Sequence, residues 1–371
     1  MEDITNLRKN FPVTKNKIYL NHAAHSPLPK PVKDAMQKHI EEFSEYGVSL
    51  ELDDGKTSFA KLINATPDEI ALVTNTSTGL NIIANMLNYP KDSNVVTTDL
   101  EYPSVVYPWK KKKLGVAVRY VKNKAGKILI EDLEKTVDDK TVAVAISHVE
   151  YMNGFRFNLK AVSEIVHKHD AYLIVDAIQS LGAFSVDVKH DGVDFLTAGC
   201  YKWMLGPPGI GYLYTRRELI EKFEPPFIGW ASVKPEVFET IDFWEIQNLR
   251  LSETASRFEI GSPSHVSMVG AAAALHFLLG VGIEKIEKRV LKLTSHLIER
   301  LEEKRLKFQT PLEPACRSGI VNFLIDNPKE RAKKLGEKGI VVSARAHGIR
   351  VSPHFYNTEE EIDKLVEGLK K

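Results

Sequence analysis

The sequence predicts an α/β protein whose larger domain is a mainly parallel seven-stranded sheet covered by helices. Short apolar stretches without polar alternation recur between residues 69 and 214, and helical patterns separate them. Strands that are buried on both faces have this composition, and the helices between them provide the crossovers that parallel strands need. The chain has 371 residues, which exceeds one typical domain, so a second, smaller unit is expected.

The N-terminal elements are expected to be short. Residues 1–15 are polar and predict a short helix or arm, and residues 18–20 predict a strand. Prolines and small residues predict a loop over 21–29. A helix should follow over 31–46, because Pro31 suits the first turn of a helix.

The repeating part of the chain supplies the main sheet. Its strands are predicted at 69–74, 94–98, 116–121, 141–147, 171–176, 193–198 and 209–214. Its helices are predicted at 80–87, around Trp109 and at 158–169, where Asn158 suits the N-cap. Helices placed between buried strands indicate crossovers on both faces of the sheet.

The strand–helix rhythm ends near residue 216. Residues 224–252 are aromatic and irregular, with Phe243 and Trp244 among them. The remaining elements predict a smaller α+β unit: helices at 266–279, 283–303, 329–337 and 358–370, and strands at 319–325, 340–343 and 349–352. We therefore expect a large domain over 16–255 and a small domain formed by 1–15 and 256–371.

Composition excludes several classes of protein. A net charge of +1 gives no reason to expect nucleic acid or an anionic membrane as a partner. No apolar run reaches the roughly 20 residues of a membrane span, and the first residues lack the pattern of a signal peptide. Two cysteines are too few for a disulfide framework or a four-cysteine zinc site. The expected location is the cytoplasm.

The chain presents one lysine where an apolar strand meets a glycine turn. Lys202 lies between Tyr201 and Trp203 and precedes the proline-rich turn 206–211. Poor hydration among aromatic residues lowers the pKa of an ammonium group and frees the amine as a nucleophile. The alternative is a side chain whose stem packs on apolar surface while its head stays in water.

A hydroxyl-rich loop predicts an anion site. Thr74-Asn75-Thr76-Ser77-Thr78-Gly79 separates a strand from a helix, where free N–H groups and the helix dipole favour a phosphate. A simple Ser/Thr N-cap is the alternative. Neither a P-loop nor a G-x-G-x-x-G motif is present, which argues against a nucleotide-dependent enzyme.

Asp176 ends the most apolar strand, so its carboxylate requires a cationic or hydrogen-bonding partner. A pyridinium N–H would satisfy it, and Gln179 is close enough in sequence to turn toward the same ring. Otherwise Asp176 caps the following turn. Ligands of parallel sheets bind at the carboxyl ends of strands, so Asp176, Lys202 and the hydroxyl-rich loop should meet there.

The chain resembles the pyridoxal-phosphate enzymes of fold type I. The segment Val175-Asp176-Ala177-Ile178-Gln179, followed by Tyr201-Lys202, is similar to the class V aminotransferase group, which includes cysteine desulfurases, isopenicillin N epimerase-like proteins and kynureninases. The resemblance covers nearly the whole chain, from Tyr19 to Thr358. It implies a pyridoxal 5'-phosphate cofactor and a homodimer with shared active sites.

The resemblance assigns roles to individual residues. Lys202 would form the Schiff base with the cofactor, Asp176 would hold the ring nitrogen and Tyr102 would stack on the ring. The residues expected to contact the cofactor elsewhere are Thr76, Ser77, Gln179, Cys200 and Tyr201, together with Ser262 from the neighbouring subunit. Arg350 would bind the substrate carboxylate, a task that suits its fork of donors.

The reaction type is open within this resemblance. A class V aminotransferase is the leading interpretation, a lyase or epimerase is the alternative on the same scaffold, and a catalytically inactive binding protein is the alternative of another class. Cysteine desulfurases carry a persulfide-forming cysteine shortly before the carboxylate-binding arginine. The corresponding stretch, 343–350, has no cysteine, and Cys316 lies upstream beside a predicted core strand.

Further residues are expected to line the substrate site. They are Asn21, His25, Glu150 and Trp230. Glu150 would bind a substrate amine or act as a second acid, or else lie in a solvated turn. Arg345 would be a second anion clamp or a surface charge. His22 and His25 have no third ligand nearby in sequence, so no metal site is expected.

Overall fold

A computed structural model describes residues 4–47, 52–234 and 249–369. Phe243, Trp244 and Lys370 lie outside the described residues, as do the other residues of 235–248 within the stretch predicted to be irregular. The described helices are α1 Ile4–Arg8, α2 Lys30–Tyr46, α3 Lys56–Ile63, α4 Thr76–Met86, α5 Pro103–Val106, α6 Ile130–Thr136, α7 Leu159–His167, α8 Arg217–Ile220, α9 His265–Val281, α10 Ile283–Glu303, α11 Pro328–Glu337 and α12 Glu359–Gly368.

Seven strands form the main sheet. They are β2 Ile70–Val73, β3 Asn94–Thr98, β4 Ala117–Val121, β5 Thr141–Ser147, β6 Tyr172–Asp176, β7 Phe195–Gly199 and β8 Gly211–Thr215. Their order in the sheet is β2-β8-β7-β6-β5-β3-β4, and β8 runs antiparallel to both of its neighbours. The predicted mainly parallel, seven-stranded α/β fold is confirmed.

The sheet is buried on both faces, as its apolar composition indicates. Val175 packs into one core cluster, and its neighbour Ile174 packs into the other. Successive strand residues point to opposite faces, so an unbroken apolar strand packs against both layers.

Strands β3, β5, β6 and β7 are neighbours and run parallel, so their carboxyl ends lie side by side at one edge of the sheet.

The C-terminal part of the chain has its own sheet and core. Strands β9 Val321–Leu324, β11 Ser343–Arg345 and β12 Gly348–Val351 pair in the order β11-β12-β9. A third core cluster lies beside this sheet and includes Leu297, Phe323 and Ile349. The proposed division into two domains is compatible with these separate cores and stays a prediction.

Two short strands join the chain's beginning to this unit. Strand β1, Ile18–Tyr19, pairs in parallel with β10, Ile340–Val341. Leu20 is fully buried in the third core cluster. The strand predicted over 340–343 is therefore wrong as one element, because its first half pairs with β1 and its last residue begins β11.

Other local predictions also differ from the structure. Helix α4 begins at Thr76 instead of residue 80, because the Asn75 side chain accepts the N–H of Thr78 and starts the helix early. Helices α3 and α6 were not predicted. Trp109 lies in a 3₁₀ turn that follows the short helix α5, so it is not inside a regular α-helix.

No single helix among the described residues has the length and apolar character to cross a membrane. Helices α9 and α10 pass that test only as a pair, and an 80° bend separates them.

Candidate active site

Lys202 occupies the loop between β7 and β8, beside the carboxyl ends of the parallel strands. Its Nζ atom lies 5.8 Å from the ring centroid of Tyr201 and 5.9 Å from that of Tyr102. Burial lowers the pKa of Lys202 to about 8, although Asp176 opposes the shift. A lysine in this state has an appreciable fraction of free amine near neutral pH, which is what a nucleophile or a proton acceptor requires.

Asp176 ends β6 and is 3% exposed. Its Oδ1 accepts the N–H of Ile178 at 2.9 Å. Burial raises the pKa of Asp176 to about 6, while that hydrogen bond and Lys202 act in the opposite direction. The described residues supply no hydrogen bond to Oδ2, so this oxygen is available to a protonated ring nitrogen.

The start of α4, where an anion site is predicted, packs against β7. Gly199 donates its N–H to Thr76 Oγ1 at 2.9 Å, and Ser77 Oγ lies 2.7 Å from Ser104 Oγ. A Cβ on Gly79 would fall 2.2 Å from Thr197 Oγ1, so glycine is required for α4 to pack this closely. The first N–H groups of a helix lack partners within it and bind phosphate well.

Arg350 lies on β12 and is almost fully buried, with 1% exposure. Its Nη1 donates to the backbone oxygen of Tyr151 at 2.6 Å, whereas its Nε and Nη2 are buried without a partner among the described residues. Burial lowers the pKa of Arg350 to about 9, and Arg345 adds to the shift. A buried guanidinium with two unused donors calls for an anionic ligand.

Arg345 shares a face of the hairpin with Arg350. Arg345 pairs with Gly348 across the strands, and Ser343 pairs with Arg350. Paired residues and alternate residues lie on the same face of a sheet, so both arginines point to the same side. Arg345 is exposed, and it contributes to the lowered pKa of Lys202.

Two tyrosines stand between Lys202 and the arginines. The rings of Tyr102 and Tyr151 meet edge to face, with centroids 5.1 Å apart. Tyr102 is 47% exposed, which leaves a ring face free for stacking. The stacking role of Tyr102 stays a prediction.

Gln179 is fixed by a network that reaches the N-terminal loop. Its Oε1 accepts the indole N–H of Trp203 at 3.0 Å, and its Nε2 donates to Ala23 O at 3.0 Å. One N–H of Nε2 remains for a cofactor. His22 is fully buried between Ser352 O and Tyr356 Oη, so it joins segments of the fold and does not face the site.

The other predicted residues are spread around the site. The rings of His25 and Tyr201 lie 4.9 Å apart at an exposed edge. Asn21 accepts the Ser343 hydroxyl through Oδ1 at 2.6 Å and thereby contacts the hairpin. Trp230 is 53% exposed, and its indole lies beside Gly261.

Two further predicted cofactor contacts, Cys200 and Ser262, lie in contrasting surroundings. The Cys200 thiol is buried in the core beside Tyr212, and burial raises its pKa, so no accessible S–H is offered to a phosphate. Ser262 is exposed and lines a cavity of about 220 Å³ with Thr74 and Thr78 of its own chain. Cys200 therefore offers no thiol to a phosphate, and the contact predicted for Ser262 from the neighbouring subunit stays a prediction.

Glu150 is completely buried and does not lie in a solvated turn. Its Oε1 accepts the Thr98 hydroxyl at 3.2 Å. Sequence reasoning missed its neighbour Glu101, which accepts both the N–H and the hydroxyl of Ser147 at 2.6 Å. The available signal was an acidic residue directly after a buried strand, where Glu101 follows β3 by three positions.

These residues suit pyridoxal phosphate on structural grounds. Asp176 has a free oxygen for a ring nitrogen, Lys202 has a basic amine, and Thr76 and Ser77 begin a helix that can hold a phosphate. The unpartnered donors of Arg350 suit the carboxylate of an amino acid.

Known proteins resemble the chain over nearly its whole length. The family model Aminotransferase class-V matches residues 18–365. An uncharacterized aminotransferase of Bacillus subtilis (strain 168), YcbU, is 31% identical over 97% of this chain and 95% of that protein. A protein of Pyrococcus abyssi named "Probable cysteine desulfurase" is also 31% identical, over the same shares. The apo cysteine desulfurase of Thermococcus onnurineus NA1 matches with a TM-score of 0.89 at 28% identity, over 99% of this chain and 97% of that one.

Proposed function

Since the chain belongs to the aminotransferase class-V family and is a pyridoxal-phosphate-dependent enzyme acting on an amino acid, we propose that its reaction is transamination. The observation that carries the proposal is the buried guanidinium of Arg350, whose Nε and Nη2 have no partner among the described residues, on the same site as the Lys202 amine. The Arg350 guanidinium suits the carboxylate of an amino acid, and the Lys202 amine suits removal of its α-proton.

The chain's residues divide the work. Pyridoxal phosphate, when bound, supplies an aldehyde for the substrate amine and a protonated ring that draws electrons from the α-carbon. Asp176 keeps a proton on the ring nitrogen, and Thr76 and Ser77 bind the phosphate. Arg350 fixes the substrate carboxylate and so orients the α-carbon bonds. Lys202 takes the α-proton on Nζ and can return it to another carbon.

The hairpin of β11 and β12 argues against the persulfide route. Its turn consists of two residues, Ala346 and His347, and Ala346 has a φ of +50°. Such a tight turn has no room for a mobile loop, and residues 343–350 contain no cysteine. Cys316 contacts Glu313 through its Sγ at 3.5 Å, and its backbone oxygen accepts the N–H of Arg156.

The test is a panel of amino acids added to the cofactor-bound enzyme without a keto acid. Transamination predicts that a substrate converts the cofactor to its pyridoxamine form and yields one keto acid per subunit. Continuous release of a keto acid with ammonia or sulfide, without that conversion, would establish a lyase. Loss of chirality at the α-carbon with solvent deuterium uptake would establish an epimerase.

The functional unit that we infer is a homodimer in the cytoplasm. Support comes from exposed apolar side chains beyond the site: Tyr107, Phe227, Ile228 and Ile260. Large apolar side chains that are exposed on one subunit are often covered when two subunits associate. Cys200 and Cys316 are both free thiols, which is typical of a reducing compartment. Sedimentation at twice the 41.7 kDa subunit mass is expected, and a monomer at working concentrations would refute the dimer.

A further inference from the structure

Trp203, the residue directly after Lys202, is fully buried and makes two polar contacts. Its indole N–H donates to Gln179 Oε1 at 3.0 Å, and its backbone oxygen lies 3.0 Å from Nε2 of His354. Gln179 in turn donates from Nε2 to Ala23 O at 3.0 Å. Trp203 therefore joins the loop that carries Lys202 to a second residue that is predicted to contact the cofactor.

The indole determines which way the Gln179 amide faces. A side-chain amide has an accepting end and a donating end of similar shape, so its partners decide its orientation. An indole N–H can only donate and the Ala23 carbonyl can only accept, so both contacts require Oε1 toward Trp203 and Nε2 toward Ala23. The reversed amide would lose two buried hydrogen bonds. The second N–H of Nε2 is left, and the two contacts set its direction.

Trp203 is itself held in one position. His354 Nδ1 accepts the N–H of Phe355 at 2.9 Å, so the ring proton is on Nε2, which donates to Trp203 O. A Cβ on Gly182 would fall 2.2 Å from Trp203 O, and one on Gly319 would fall 2.4 Å from the indole ring. Glycine at these two positions lets other segments enclose Trp203 closely, which leaves the indole no space to turn.

We propose that Trp203 is a positioning residue for the cofactor: it orients the Gln179 amide so that the free N–H of Nε2 donates to the phenolic oxygen of pyridoxal phosphate. Its effect reaches the cofactor through Gln179. A donor at this oxygen stabilises the negative charge there and so keeps the cofactor deprotonated down to a lower pH. This role rests on the proposed function only for the presence of the cofactor.

The two histidines around Trp203 are uncharged. The ring centroids of His354 and His22 lie 5.5 Å and 6.1 Å from that of Trp203. Burial lowers the pKa of His354 to about 4 and the pKa of His22 well below its usual range, so both rings are neutral near pH 7. Lys202 stays in place when Trp203 or Gln179 is replaced by a neutral residue. Such a replacement therefore changes hydrogen bonding at the cofactor without removing a charge.

The contact between the indole and the amide can be measured in the full chain without cofactor, from the indole N–H signals in an NMR spectrum. The Trp203 signal is the one that Trp203→Phe removes. It should move upfield in Gln179→Met, because a thioether is a much weaker acceptor than an amide oxygen. Trp109, whose indole N–H donates to Val105 O, is the internal control and should keep its position. An unmoved Trp203 signal in Gln179→Met would overturn the contact.

The effect on the cofactor is measured as the pH midpoint of its visible absorbance. Gln179→Met removes the donor and should raise the midpoint by about one unit, the size expected for one hydrogen bond to a charged group. Trp203→Phe should raise the midpoint by at least about 0.3 units, because the amide then keeps only its contact with Ala23. Trp109→Phe is the matched control, since Trp109 is also buried, and should leave the midpoint unchanged.

The double variant decides whether Trp203 acts through Gln179. In the Gln179→Met background, Trp203→Phe should move the midpoint by less than about 0.2 units, because no amide remains to be oriented. An equal shift in both backgrounds would mean that Trp203 acts by another route. No shift in Trp203→Phe alone would mean that the indole does not orient the amide. Either result contradicts the proposal.

These measurements separate the role of Trp203 from the proposed reaction. If the products show a lyase or an epimerase while the absorbance forms normally, transamination fails and the comparison of midpoints still tests Trp203. If the wild-type protein never acquires visible absorbance with pyridoxal phosphate, the assigned cofactor chemistry fails, and the role of Trp203 fails with it. The NMR signal still decides in that case whether the indole holds the Gln179 amide.

Discussion

The two sides of the site differ in how completely the chain satisfies its own polar groups. On the cofactor side, Thr76 is held by Gly199, and Asp176 by Ile178, before any ligand binds. On the substrate side, Arg350 keeps two buried donors without a partner among the described residues, and Arg345 is exposed. The cofactor side is preorganised for one group, whereas the substrate side has cationic groups that a ligand must complete.

The largest expected effect comes from the cofactor side. Lys202→Ala removes both the nucleophile and the proton carrier, so turnover should fall by about 10²- to 10⁴-fold. The visible absorbance of the cofactor-bound enzyme should change as well, because its amine partner is lost. Lys160→Ala on α7 is the control and should leave both readings unchanged; retained turnover in Lys202→Ala would remove Lys202 from the mechanism.

A second prediction concerns the free energy of unfolding, which the burial of Lys202 lowers. Burial depresses the pKa of Lys202 from 10.5 to about 8 in the folded protein. The unfolded chain therefore binds more protons between those values, and wild-type stability should rise with pH through this window. Without cofactor, Lys202→Met should be more stable than wild type by about 3 kcal/mol below pH 8, and the difference should vanish above pH 10.5. Denaturant unfolding at several pH values checks this, and a constant difference would contradict the assigned burial.

The substrate side predicts a different signature. Arg350→Lys replaces a fork by a point charge, so KM for the amino acid should rise by about 10- to 100-fold, since a charged hydrogen bond contributes about 1.5–3 kcal/mol. The visible absorbance should stay that of wild type, because Arg350 does not hold the cofactor. Arg119→Lys on the edge strand β4 is the control. An unchanged KM in Arg350→Lys would refute the carboxylate role.

The smallest effect is expected outside both sides. Cys316→Ser should keep turnover within about twofold of wild type, because surface substitutions away from the chemistry cost little. Release of sulfide from L-cysteine should not depend on this residue. Loss of a sulfide-forming activity in the variant would restore the persulfide route that the short hairpin argues against.

The sequence was informative where one residue type has few physical explanations. Seven buried apolar strands predicted the sheet. Asp176 ends one of these strands and was expected to have a partner, and in the structure it has the N–H of Ile178 and the nearby charge of Lys202. Sequence reasoning could not find that Glu101 binds Ser147, because the two residues are 46 positions apart and only the sheet order brings β3 beside β5. Sequence reasoning also assigned Cys200 to the cofactor because it lies close to Lys202 in sequence. Neighbouring residues of a turn point in different directions, so closeness in sequence does not bring both side chains into one site.

Local rules also failed where tertiary contacts decide the element. Residues 340–345 are nearly continuous extended backbone, yet they form two strands. The first, β10, pairs with β1, and the second, β11, pairs with β12. Helix α4 begins among Thr and Ser residues of low helix propensity, because Asn75 caps it and Gly79 lets it pack on β7. Pairing partners and close packing of this kind are not encoded in a short window of residues.

The most direct test of transamination is a single turnover of the cofactor-bound enzyme with its best amino acid from the panel and no keto acid. We expect one equivalent of keto acid per subunit, loss of the original visible absorbance, no free ammonia, and full recovery of the absorbance on adding a keto acid. Continued product formation beyond one equivalent, with ammonia or sulfide released and the absorbance retained, would contradict the account.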